Sequence, residues 1–167
     1  LSTLFLFQNG PNSRARYNKL EEKMKKNTEI QELIKLSWNV LKERTQQEID
    51  KLQTEADIFN KKYGNFSVFT EEDCDKISNE LKQEENSIYQ SKRDFFNICD
   101  DFVKQCKKII TDNDYLNNNL KDVEELRTIV TNFYSKYIEG IRNLENQLLK
   151  AKAKIIEESK NNTEDAK

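Results

Sequence analysis

The side chains in this sequence best suited to nucleophilic or redox chemistry are three cysteines, Cys74, Cys99 and Cys106. Their neighbours argue against activation. Cys99 is followed by Asp100 and Asp101, whose negative charge raises a thiol pKa and so withholds the thiolate that reacts. Cys74 lies between Asp73 and Asp75, close to a helix start whose dipole acts in the opposite sense. There is no His in the chain. That removes the commonest general base, the usual activator of Ser and Cys, and the preferred zinc and haem ligand.

Metal and phosphate chemistry have no better footing. Cys99 and Cys106 share a helical face, yet no CxxC or second pair completes a ligand set, and the expected role of both is to fill a core. The acidic pairs Glu71-Glu72, Glu84-Glu85, Asp100-Asp101 and Glu124-Glu125 sit on helical stretches, where adjacent residues point ~100° apart and do not converge. Asp112-Asn113-Asp114 lacks the glycine and terminal Glu of a calcium loop. The three glycines, at positions 10, 64 and 140, are too far apart for a phosphate loop. The sequence therefore predicts no catalytic residue, no metal and no cofactor.

One segment has a different character. Arg14, Arg16, Lys19, Lys23, Lys25 and Lys26 follow the apolar run Leu4 to Phe7, and residues 1–26 carry six basic residues against two Glu, net +4. A basic helix with an apolar lead can lie on an anionic membrane surface or dock to an acidic partner. It also serves as an ordinary solvated helix start. The whole chain carries a formal charge of −2, which argues against general nucleic-acid affinity, since that rests on a clustered cationic excess. Phe96 and Tyr134 are the other candidate contacts. Beside Phe95 and Phe133, and with Trp38, they bring more aromatic surface than one stripe buries, so they either complete the core or face a partner.

The elements that would hold these residues are helices. A composition of 35% hydrophobic and 35% charged residues suits long two-faced helices, and one Pro with three Gly leaves too few turn-formers for a sheet. Ile30, Ile34, Trp38, Leu41, Thr45, Ile49, Leu52, Ala56, Phe59 and Tyr63 form one stripe. Within it Ile30, Leu41, Leu52 and Tyr63 recur every eleven residues, a period of about 3.67 that keeps a seam nearly straight. A second stripe runs Ile77, Leu81, Ile88, Phe95, Cys99, Phe102, Cys106 and Ile109. The third runs from Leu116 through Val123, Val130, Phe133, Tyr137, Ile141, Leu144 and Leu148 to Ile155. Thr70-Glu71-Glu72-Asp73 gives the second helix a cap and three acids in its first turn. Gly64 is expected to end the first helix in a left-handed conformation.

The predicted fold is thus all-α: an elongated antiparallel three-helix bundle with coiled-coil-like seams and a short N-terminal extension. Its helices cover about 14–63, 70–111 and 114–158, of matching length near 60 Å. Residues 1–13 are expected as an apolar arm, with Gln8 to Ser13 a loop and Ser13 a cap. A break or bend is expected at Asn27-Thr28, where Thr28 and Gln31 have capping-box spacing. Residues 159–167 are expected to be a frayed polar tail.

Within one intact helix Cys99 and Cys106 stand roughly 10 Å apart along the axis and Cys74 further off, so no intrachain disulfide is available. This favours a reducing, cytoplasmic setting. Sequons at Asn65 and Asn161 point the other way, to secretion or export. The opening Leu1 to Phe7, without Met, reads as the start of a fragment or processed product. The expected function is a non-catalytic scaffold that binds a protein partner or a second copy along its helical faces. The alternatives are a peripheral membrane or trafficking element working through residues 1–26, and an exported host-interaction protein.

Overall fold

The computed structural model describes the backbone of residues 2–165 and the side chains of residues 14–163. The chain forms three helices, α1 (Ser2–Tyr63), α2 (Glu71–Ile109) and α3 (Asn113–Asp165), with no strand among the described residues. Short connections, residues 64–70 and 110–112, turn each helix back on its predecessor, and every helix packs against both others. This is the expected up-down-up three-helix bundle.

The seams meet as their spacing requires. Ile34, Leu41 and Leu52 of α1 face Leu81, Ile88, Phe95, Cys99, Phe102 and Cys106 of α2, and Val123, Val130, Tyr134, Ile141 and Leu148 of α3 close the core. In α2 the residues Cys74, Leu81, Ile88, Phe95, Phe102 and Ile109 recur every seventh position. That is the coiled-coil repeat, and it turns one line of side chains inward along the whole helix. Aromatic rings fill both ends of the core: Trp38 lies 5.8 Å from Phe102 at one end, and Phe59 lies 5.6 Å from Tyr137 towards the other.

Local chemistry fixes the α2 start. Thr70 has an extended backbone (φ −129°), and its hydroxyl accepts from the Asp73 N–H at 3.1 Å. The Asp73 carboxylate accepts in return from the N–H groups of Thr70 and Phe69. Helix starts leave such N–H groups without intrahelical partners, and the reciprocal pair satisfies them. At the other turn, Asp112 accepts from the Tyr115 N–H at 3.0 Å and opens α3 in the same way.

Four expectations are corrected. The helices are unequal, at 62, 39 and 53 residues, because only α2 is bounded by a turn at both ends. The backbone of α1 is helical through Gln8 to Ser13 and through Asn27-Thr28, so neither the loop nor the break exists; the arm's side chains lie outside the described residues. The Thr28 hydroxyl donates to the Met24 carbonyl one turn back, which satisfies it within the helix instead of capping a new one. The backbone of α3 continues helically to Asp165 through the expected tail, since extension of a formed helix adds one hydrogen bond per residue fixed. Finally, Gly64 is not in the left-handed region. Glycine is required there because a Cβ would stand 2.6 Å from the Asn60 carbonyl oxygen.

The unequal lengths leave an overhang. The turn between α2 and α3 ends the bundle beside Thr28 to Trp38, where Tyr115 and Asn119 of α3 line a groove with α1. Beyond it residues 14–29 of α1 are all exposed. Over these residues the stalk carries the helix on alone for about 24 Å.

Candidate functional site

Three tyrosines tie the helices together through carboxylates. The Tyr134 hydroxyl of α3 donates to Glu48 of α1, and the Tyr137 hydroxyl donates to Glu84 of α2 at 2.5 Å. The Tyr137 hydroxyl also lies 3.2 Å from the Glu55 carbonyl oxygen. Near the upper turn Tyr63 donates to Glu80 at 2.6 Å, with Lys62 3.6 Å from the same carboxylate. A buried phenol needs a partner for its O–H, and an ionised acceptor makes the stronger bond. Burial first, then donation to the carboxylate, pushes the phenols of Tyr134, Tyr137 and Tyr63 above the ordinary tyrosine range. Glu80 goes the other way, held below the usual carboxylate range chiefly by the Tyr63 hydrogen bond. Glu55 is raised by burial, opposed by Lys51 and reinforced by Glu84 and Glu48.

This polar layer is structural in its geometry: the carboxylates of Glu48, Glu80 and Glu84 are each engaged by a hydroxyl from another helix, while that of Glu55 is paired to Lys51 on its own helix. The sequence carried a signal for it that the seam reading passed over. Between Leu81 and Ile88, and again between Ile88 and Phe95, α2 places Glu84, Glu85, Ser91 and Lys92 where an intermediate apolar residue is expected. Tyr137 lies opposite the first of these gaps, at Glu84, and Tyr134 lies beside the second, near Ile88 and Lys92.

The thiols sit in the core. All three are free and buried. Burial raises each of them, Cys99 to about 11 even with the Arg127 guanidinium nearby. Among the described residues no group of three or more His, Cys, Asp or Glu converges to hold a metal, and no helix is long and apolar enough to cross a membrane.

The eight candidate contact residues divide. Tyr134 is 2% exposed. Its ring fills the centre of the bundle and its hydroxyl is spent on Glu48, which takes it off any surface a partner can reach and corrects that expectation. Phe96 is half-buried at the α2–α3 edge. The Arg127 guanidinium lies 5.2 Å from its ring centroid and the Lys92 ammonium 5.5 Å, while Arg127 is itself paired to Asp100 and Glu124. Phe96 is thus sheathed by cations over one face and shares an open groove with Tyr89, Arg93 and Asn97. Arg14, Arg16, Lys19, Lys23, Lys25 and Lys26 are all exposed on the stalk, with Arg16, Lys19, Lys23 and Lys26 on one face and Arg14 and Lys25 on the opposite one.

Two apolar lines on α1 lie off its buried core: Tyr17, Leu20 and Met24, which the sequence marks as the apolar positions of the first helix, and Leu33, Leu36 and Val40, which flank the stronger core stripe and are not evident from it. Leu33, Leu36 and Val40 are 55–65% exposed, at i, i+3 and i+7. Tyr17, Leu20 and Met24 repeat that spacing on the stalk and are also exposed. A shallow apolar groove of ≈ 250 Å³ lies between α1 and α3, lined by Leu52, Ala56, Phe59, Phe133, Tyr137 and Gly140. A Cβ at Gly140 would meet nothing within 4 Å. No family model matches this chain, and neither a curated protein nor a solved structure gives a match.

Proposed function

We propose that this protein is a non-catalytic interaction module that offers long helical faces to a protein partner. The observation that carries the reading is the line Leu33, Leu36, Val40. Three large apolar side chains stay in water on a helix whose core seam, Ile34 and Leu41, is already satisfied on another side. An exposed i, i+3, i+7 line is the pattern with which one helix anchors on another. Scattered exposed apolar residues carry no such meaning, whereas a contiguous line over two turns does.

A photoreactive residue at position 36 tests this in extract from the native source. The expected result is a discrete crosslinked adduct that disappears when Leu33 and Val40 are replaced by Ser, with helix content by circular dichroism unchanged. A photoprobe that yields no adduct there, or one indifferent to the serine substitutions, contradicts the reading.

A further inference from the structure

We propose that the stalk of α1 is a docking face for the opposite end of a second copy of this chain, so that the molecules associate head to tail. The inference rests on the interaction-module reading and names one partner within it.

The stalk is a free helix with two adjacent lines of side chains. Arg16, Lys19, Lys23 and Lys26 fall at i, i+3, i+7 and i+10 and form a basic line; Tyr17, Leu20 and Met24 form an apolar line beside it. Neither line meets a neighbour among the described residues. A lone helix in water is marginal without tertiary packing over one face. The bundle supplies none here, because α2 and α3 turn back at the level of Thr28 to Trp38.

The far end of the molecule has the complementary surface. There α2 begins, and residues 71–85 carry seven acids against two lysines, net −5; Asp73, Glu80, Glu84 and Glu85 are engaged within the molecule, which leaves the acids of the first turn to face outward. Glu71, Glu72 and Asp75 are exposed, and of these only Asp75 makes an ion pair among the described residues, with Lys152. Beside the acids stand two uncovered apolar groups, Phe69 at 80% exposed and Leu149 at 66%. A basic line flanked by apolar residues at one end thus matches an acidic patch flanked by apolar residues at the other. The antiparallel topology places the two on opposite ends of a rod, so one copy cannot satisfy itself. Contacts between unlike surfaces propagate instead of closing as a pair unless the rotation closes a ring.

Sedimentation velocity of the full chain tests this against concentration at about 50 mM and about 500 mM salt, where screening shortens from roughly 14 Å to about 4 Å. The expected result is a weight-average mass that climbs with concentration at low salt and returns to the 19.8 kDa single chain at high salt, with apparent association weakened at least tenfold. Reversing the stalk (Lys19→Glu, Lys23→Glu, Lys26→Glu) or the far end (Glu71→Lys, Glu72→Lys) abolishes association of either variant alone, and mixing the two restores it. Should the far-end variant lose helix content, Phe69→Ser serves in its place and lowers association without touching charge. A wild-type chain that stays at 19.8 kDa at low salt overturns the proposal. So does a stalk-reversed variant that associates as well as wild type. A monomer whose stalk binds anionic phosphatidylserine vesicles overturns it in favour of a membrane surface. None of these outcomes touches the adduct at position 36, which tests the interaction-module reading by itself.

Discussion

The Tyr134 hydroxyl donates to the Glu48 carboxylate across 86 residues of chain, pinning α3 to α1 at the middle of the rod. The ring is core and the bond is polar, so two substitutions separate the contributions. Tyr134→Phe keeps the packing and leaves a half-buried carboxylate to find water; a lost bond to a charged group costs about 1.5–3 kcal/mol. Tyr134→Ala adds a cavity and costs about 3–5 kcal/mol. Urea denaturation of both variants, together with Glu48→Gln and the double variant Tyr134→Phe/Glu48→Gln, checks this. A coupling of at least ~0.5 kcal/mol is expected if the pair acts as a unit.

The tyrosine layer also predicts an alkaline limit. In the folded state Tyr63, Tyr134 and Tyr137 hold their protons to higher pH than an unfolded chain does. Their contribution is therefore complete below about pH 10, the ordinary phenol value, and is lost as pH rises above it. Glu80 and Asp73 have lowered values and act at the other end: their contribution is present above the usual carboxylate range and lost as pH falls through their depressed folded values. Glu55 and Glu145, raised by burial, work in the opposite sense, favouring the folded state most in acid. The urea midpoint should fall between pH 9 and about 11, and more shallowly in Tyr134→Phe/Tyr137→Phe. An unchanged midpoint across that range contradicts the buried-phenol geometry.

Gly140 gives a prediction of the opposite sign. It lies within α3, and nothing stands within 4 Å of the position its Cβ would take. Alanine there removes backbone freedom from the unfolded chain without a clash, so Gly140→Ala should stabilise the protein by about 0.5–1 kcal/mol. Thermal unfolding reads this directly. A loss of stability would mean that the groove beside Leu52 and Phe133 closes on Gly140 in solution.

The fold was legible because each helix carries its own seam. The recurrence of Ile30, Leu41, Leu52 and Tyr63 and the sevenfold spacing of Leu81, Ile88, Phe95 and Phe102 each specify one inward line, and the Thr70–Asp73 cap announced where α2 begins. Helix length was not legible in the same way. Gln8 to Ser13 and Asn27-Thr28 have loop or capping composition, but local propensity is a weak prior once a long helix propagates through it. Nor could the spacing alone decide Tyr134. On the α3 wheel it stands beside Phe133, and only the position of α1 and α2 shows that Tyr134 points between them while Phe133 lies at the groove edge. The exposed line Leu33, Leu36 and Val40 was not legible because it flanks the stronger stripe that forms the core, whereas Tyr17, Leu20 and Met24 were legible as apolar positions but not as uncovered ones.

Head-to-tail association requires above all that α1 run beyond the bundle as a straight, uncovered stalk. Small-angle X-ray scattering at high salt, where single chains dominate, measures that length. With 62 residues in α1, and α3 running on to Asp165 from Tyr137, which lies level with Glu55 to Phe59 of α1, the maximum dimension should be about 125 Å at ~1.5 Å per residue. A value near 80 Å, the length of the 53-residue α3 alone, would mean the stalk folds back on its own core and has no free face to offer.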